Sequence, residues 1–127
     1  MNDTKYWIPN HRYLELKHFC LQYPEWKKLL KKFKMEVSRN LIRANGRNFP
    51  ERPTENLGIS LGEILGKVSL IEEVCKETDE GLWRYILMAV AYGDCYGRLK
   101  EVYKMPCSRA IFSEKYRKFF WLLDKSQ

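Results

Sequence analysis

The chain has 127 residues, of which 45% are hydrophobic and 14% aromatic, enough to build one core in a single domain or in a small domain with an appended helical module. Its 23 Lys/Arg against 16 Asp/Glu give a formal net charge of +7, a balance that favours polyanions, chiefly nucleic acid or an anionic surface. No apolar run approaches the roughly 18 residues needed to span a bilayer, so no membrane span is expected; the longest run, residues 85–92, reads as a buried helix.

Val, Ile and Thr never alternate with polar residues long enough to suggest a strand, which predicts an all-α chain of five to six helices. Residues 1–9 read as an extended lead with Trp7 and Ile8 on the body. Helix one starts at Asn10 or His11, and Tyr13, Leu16, Phe19, Cys20 and Tyr23 recur at three- and four-residue steps as its apolar face. Pro24 interrupts it and opens helix two, because proline is tolerated in a first helical turn. Trp26, Leu29, Leu30, Phe33, Val37 and Leu41 form the stripe of helix two. The opposite side carries Lys27, Lys28, Lys31, Lys32 and Lys34, continued by Arg39 and Arg43, a secondary basic face suited either to solvent or to a polyanion.

Asn45-Gly46, Pro50, Pro53, Asn56 and Gly58 punctuate a linker over residues 45–58. Ser60-Leu-Gly-Glu63 is a capping box that starts helix three, with Leu61, Ile64, Leu65, Val68, Ile71 and Cys75 inward and an acidic side outward. Thr78 or Asp79 caps helix four, which ends at Gly93-Asp94 and places Leu82, Trp83, Ile86, Leu87 and Val90 in the core. Helix five covers residues 96–104, with Leu99, Val102 and Tyr103 as its apolar face. After the turn at Met105-Pro-Cys, helix six runs from Ser108 to about Lys125. It carries Phe112, Tyr116, Phe119, Phe120 and Leu123 on one face, Tyr116 being ambiguous between core and interface. The division expected is an N-terminal helical hairpin (1–44), a linker (45–58) and a helical domain (59–127).

Charge has direction along the chain. Residues 1–53 hold twelve Lys/Arg against five Asp/Glu, residues 54–80 two against seven, and residues 81–127 nine against four. Catalytic patterns are missing: no Gly-rich phosphate loop, no H-E-x-x-H and no G-x-S-x-G. Glu72-Glu73 and Asp79-Glu80 are sequence neighbours that diverge on a helix, so they read as a solvated acidic face rather than an acid/base pair. An enzyme is not expected, and no cofactor is. Cys20, Cys75, Cys95 and Cys107 form no C-x-x-C pair, and no signal-peptide pattern is visible, which predicts reduced, mostly buried thiols in a cytoplasmic protein. His18 and Cys20 lack a downstream partner pair, so no metal site is expected.

Helix, short turn and basic helix over residues 95–125 is the layout of a helix-turn-helix DNA reader, with double-stranded DNA as its partner. Ser108 as N-cap leaves the first turn of helix six facing a phosphate. Arg109 in that turn suits a guanine edge, where a guanidinium is bidentate. Ser113 and Lys115 are read one turn further along the same groove-facing side. Arg117 and Lys118 hold phosphates, joined by Arg98 and Lys104 from the preceding helix and turn. The alternative for the same residues is a plain helical hairpin with a basic surface.

These residues carry a resemblance. Leu99-Lys-Glu-Val102, Ser108-Arg109 and Phe112 resemble the turn and recognition helix of the late-gene transcriptional activators of Gram-positive phages (the ArpU/RinA-like family), whose C-terminal part is similar to the promoter-reading helix-turn-helix of sigma factors. Leu16, Tyr23-Pro24 and Leu29 resemble that family's opening helix, break and second helix. The turn between Val102 and Ser108 departs from the sigma-like pattern by being one residue shorter and by holding Pro106. The resemblance implies a small DNA-binding regulator in a host bacterial cell that acts on the output of host RNA polymerase, with Ser108 and Arg109 carried over. A homodimer reading two half-sites about 34 Å apart fits this class. The competing expectation is a small basic phage protein that binds a host nucleoprotein, RNA polymerase or a defence nuclease, through Lys27–Arg43 and the aromatics Trp7, Trp26 and Trp121.

Overall fold

A computed structural model describes residues 4–44 and 61–127, with side chains from Lys5 to Arg39 and from Leu61 onward. The expected linker and the Ser60 half of the capping box lie outside the described residues. Within them the chain is all-α, with no strand: a 3-10 turn at Thr4–Tyr6, then α1 (Asn10–Leu21), α2 (Tyr23–Ala44), α3 (Leu61–Thr78), α4 (Trp83–Tyr92), α5 (Tyr96–Tyr103) and α6 (Arg109–Ser126). Two compact units form, one of Met1–Tyr23 with Leu70–Gln127 and one of Pro24–Ser69. The grouping runs across the chain-order division read from the sequence, because α1 packs on α4 and α6.

In the first unit the stripes of α1 and α6 turn inward as their spacing predicts, whereas on α4 Ile86 and Val90 are buried but Leu82, Trp83 and Leu87, expected in the core, are only half-buried. Leu16, Cys20 and Tyr23, Ile86 and Val90 of α4, and Phe119, Phe120 and Leu123 of α6 are all buried, and α1 packs on both α4 and α6. Such burial, not helix propensity, holds helices of 8–18 residues in place. Aromatic edges interlock there: Phe120 stands 5.0 Å from Tyr13 and 5.1 Å from Tyr116 between ring centroids. Tyr116 is half-buried and its hydroxyl shares a 3.1 Å hydrogen bond with that of Tyr13, so it belongs to the core side. Burial first, and the Tyr13 contact second, pushes the Tyr116 phenol up, which keeps it neutral and a donor. Arg12 donates through Nε to Asp124 at 2.6 Å and through Nη1 to Glu15 at 3.0 Å, tying α1 to the end of α6.

A buried polar cluster lies at the end of α1. The Tyr23 hydroxyl donates to Glu72, and its ring meets Tyr92 edge-on at 6.2 Å. The acidic pair Glu72-Glu73 is therefore split, with Glu73 exposed and Glu72 half-buried against Tyr23. Burial pushes the Cys20 thiol up to about 12 and raises that of Cys75 as well, so both stay protonated and inert as nucleophiles. Cys95 is exposed and Cys107 half-buried, which corrects the expectation that most of the cysteines are buried: Cys95 stands at the N-cap of α5 and Cys107 in the turn before α6, both in connecting segments.

The start of α4 is corrected as well. Asp79 does not cap α4 directly. Its Oδ1 accepts from the backbone N–H groups of Gly81 and Leu82, each at 2.9 Å, so the chain makes one further turn and α4 begins at Trp83. Gly93 ends α4 as predicted, with φ of 76° that suits a residue without a Cβ. On α5 only Leu99 is buried, and Val102 and Tyr103 are exposed, because an eight-residue helix turns too little of its surface inward to cover both. In the second unit, Trp26, Ile64 and Val68 are buried while Leu65, expected inward, is exposed.

Asp79 also accepts an ion pair from Lys115 at 3.3 Å. Burial raises its carboxyl, but the hydrogen bonds from Leu82, Lys115 and Gly81 together outweigh this and hold it below the ordinary carboxylate value. A depressed folded-state value stabilises above the unfolded value, near pH 4, and the contribution disappears as pH falls through the folded value. Asp79→Ala is expected to cost about 1–2 kcal/mol at pH 7 and progressively less as pH falls from the unfolded value through the lower folded one, read by urea denaturation at pH 7 and at an acid pH. An equal loss at both would assign the effect to packing.

Candidate nucleic-acid interface

The turn between α5 and α6 is built from both sides. Lys104 takes a left-handed conformation, φ 58°, and the N–H of Met105 donates to the Leu99 carbonyl at 3.1 Å, closing α5. Met105 then plugs a buried cluster with Ala89, Leu99 and Phe112. The carbonyls of the turn find donors on α5: the Tyr96 hydroxyl reaches Cys107 O at 3.1 Å, and Lys100 Nζ reaches Met105 O at 3.3 Å and Cys107 O at 3.4 Å. Pro106 has no N–H to satisfy. Ser108 caps α6, its Oγ accepting from the Ile111 N–H at 3.3 Å. The first turn, Arg109, Ala110 and Ile111, is exposed.

The expected contacts separate into groups. Arg109 is exposed, and its guanidinium lies 4.8 Å from the centre of the Tyr96 ring, which is itself packed on Phe112. Tyr96 was missed by the sequence reading; its pairing with Arg109 spans a turn whose shape no spacing reveals. Arg109, Ser113 and Arg117 follow one another at four-residue steps along one flank of α6. Ser113 and Arg117 line a cavity of about 420 Å³ with Lys17 of α1, so Lys17 is a cation that the sequence reading had not placed near α6. Lys104 is exposed beside the turn.

Lys115 does not share a face with Ser113, contrary to expectation. Residues two apart on an α-helix diverge by about 160°, and Lys115 is half-buried in its ion pair with Asp79. Lys118 is half-buried on that same flank, away from Arg109. Arg98 is exposed and paired with Asp94 at 3.3 Å, one turn earlier in the chain. Each such pair offsets charge that the formal count assigns to a nucleic-acid face.

The secondary basic face belongs to the Pro24–Ser69 unit. Lys27, Lys28, Lys31, Lys32, Lys34 and Arg39 are exposed there, and the side chain of Arg43 lies outside the described residues. Of the three tryptophans named above, Trp7 alone is exposed. Trp26 is buried, and Trp121 is half-buried between the Tyr6 ring and Lys125. Among the described residues no three His, Cys, Asp or Glu side chains are grouped to hold a metal ion, and no helix is long and apolar enough to cross a membrane.

No family model matches the chain, and neither does any curated protein or solved structure.

Lys104 offers a test that separates fold from function. A left-handed residue other than glycine carries about 1 kcal/mol of strain. Lys104→Gly is expected to raise stability by about 0.5–1 kcal/mol in urea denaturation while weakening duplex DNA binding by removing one cation. Equal DNA affinity in the two proteins would remove Lys104 from the interface.

Proposed function

We propose that this protein is a DNA-binding transcription regulator of the phage or prophage kind, reading promoter or operator DNA through the α5–turn–α6 element. The observation that carries the reading is the exposed first turn of α6, capped by Ser108, with Arg109 held over Tyr96 and Lys104 beside it. A helix start directs N–H groups and a partial positive charge outward, which suits a phosphate. Arg109 then has the reach and planar fork to address a guanine edge. Double-stranded DNA is the partner, host RNA polymerase the machine whose output changes, and a homodimer the form that doubles the contact. The site belongs in the cytoplasm of the host bacterium, where DNA is accessible.

A gel-shift titration with duplex from the promoter region beside the protein's own gene tests this. Specific binding should weaken with salt with a log–log slope of about −0.9 per phosphate contacted. Binding no tighter to that duplex than to random sequence overturns the reading.

The second unit supports a different role, that of a small basic protein that modulates a host nucleoprotein. Lys27, Lys31 and Lys34 border Leu30, Phe33 and Leu65, a mixture of apolar floor and cationic rim that suits an acidic protein segment better than a uniformly charged duplex. One stoichiometric protein partner that survives nuclease treatment, and is lost on charge reversal of Lys31 and Lys34, would favour this role over the first.

A further inference from the structure

Where the Thr4–Tyr6 turn, α1 and α6 converge, a cavity of about 450 Å³ is lined by the rings of Tyr6, Trp7, Tyr13, Tyr116 and Phe120 and by Arg117. Its size falls within the range of about 300–1,000 Å³ common to small-molecule sites. Trp7 is 65% exposed, a large ring of the lining left facing water. Tyr6 is fixed behind it by an edge-on contact with Trp121 at 5.4 Å. The polar groups of the cavity are few. Asn10 brings an amide, and the Tyr13–Tyr116 hydroxyl pair uses one proton between its members and keeps the other to donate.

The 420 Å³ cavity already described shares Tyr116 and Arg117 with this one. It adds Lys17 and Ser113, and Lys17 Nζ lies 5.9 Å from the centre of the Tyr13 ring, one of the rings that line the aromatic cavity. An aromatic slot therefore leads past a guanidinium to a hydroxyl and an ammonium. Flat rings take a nucleobase by stacking, amide and phenol groups meet its polar edge, and adjacent cations take the phosphate attached to it. A fatty chain would use the rings but neither the amide and phenol groups nor the cations.

We infer that the slot formed by Trp7, Tyr6 and Tyr13 with Arg117 and Lys17 binds a nucleobase with its attached phosphate, either as a free nucleotide or as a unit of a single strand. The site is independent of the duplex-reading role of Arg109, which lines neither cavity.

The full-length protein is titrated with AMP, GMP and fluorescein-labelled dT12 and rU12, followed by calorimetry and anisotropy. Trp7→Ala, at an exposed position that packing does not need, is expected to weaken binding about tenfold. Arg117→Gln is expected to weaken it similarly and to reduce the salt slope by about 0.7 for the strands. Arg109→Ala should leave it unchanged, while Trp7→Ala should leave duplex binding unchanged. Mononucleotides binding as tightly as the twelve-mers identify a free nucleotide as the ligand, and tighter binding of the twelve-mers identifies a strand. No binding of any probe at about 1 mM, or binding that survives Trp7→Ala combined with Arg117→Gln in a protein of unchanged helical circular dichroism, overturns the inference.

Discussion

Phe120→Ala is expected to lower the stability of the α1–α4–α6 core by about 3–5 kcal/mol. The ring is 1% exposed and stands 5.0 Å from Phe119, 5.0 Å from Tyr13 and 5.1 Å from Tyr116 between centroids, each at a steep interplanar angle. Truncation removes the apolar area, leaves a cavity that the three neighbouring rings cannot close, and forfeits edge-to-face contacts worth about 0.5–1.5 kcal/mol each. For a domain whose whole stability is about 5–15 kcal/mol, the loss populates the unfolded chain. Phe120→Leu keeps most of the buried area and should cost clearly less. Ile111→Ala, at a position 45% exposed, should change stability by under about 0.5 kcal/mol. Urea denaturation of the three proteins checks the order, and a cost under about 1 kcal/mol for Phe120→Ala would show that the aromatic cluster does not hold the fold.

Arg109→Ala is expected to weaken specific duplex binding by about 1–3 kcal/mol, roughly five- to more than a hundred-fold, while changing stability by less than about 1 kcal/mol. The side chain is exposed, so its removal leaves no buried hole, and what it gives up in the free protein is the contact with Tyr96. Arg109→Lys separates two modes. A lysine restores charge but not the planar fork, so affinity should recover only in part at a base edge and nearly fully at a phosphate. Lys115→Ala is the contrasting variant. Its ammonium is held by Asp79, so duplex affinity should be unchanged and stability reduced. A larger DNA defect for Lys115→Ala than for Arg109→Ala would reverse the assignment of the two flanks of α6.

Periodicity made the inward face of each long helix legible. Leu16, Cys20, Ile64, Ile71, Ile86, Val90, Phe112, Phe119, Phe120 and Leu123 all recur at helical steps and are all buried. Local stop and start chemistry was legible too: Gly93 closes α4 and Ser108 opens α6, each through bonds to residues within five positions. Short helices were read less well. Val102 and Tyr103 follow the right spacing on α5 yet face water, since a stripe on eight residues has too little area to select its partner.

The candidate interface divided along the same line. Spacing picked out Ser108 and Arg109 because the cap and the first turn are local features. It could not tell that Lys115 is claimed by Asp79 from the turn after α3, or that Arg109 rests on Tyr96 across the α5–α6 turn. Nor could it bring Lys17 and Trp7 near Arg117, residues about a hundred positions away in the chain.

The sequence by itself thus determined an all-α chain, the faces its long helices bury and the residues that begin and end several of them. Those properties follow from backbone hydrogen bonds and side-chain directions that repeat every 3.6 residues. Only the tertiary structure decided that α1 joins α4 and α6, which cations are paired and which stand beside an aromatic slot. An ion pair or a cavity wall forms between residues whose distance depends on every helix packed between them, and that distance is written in no local pattern.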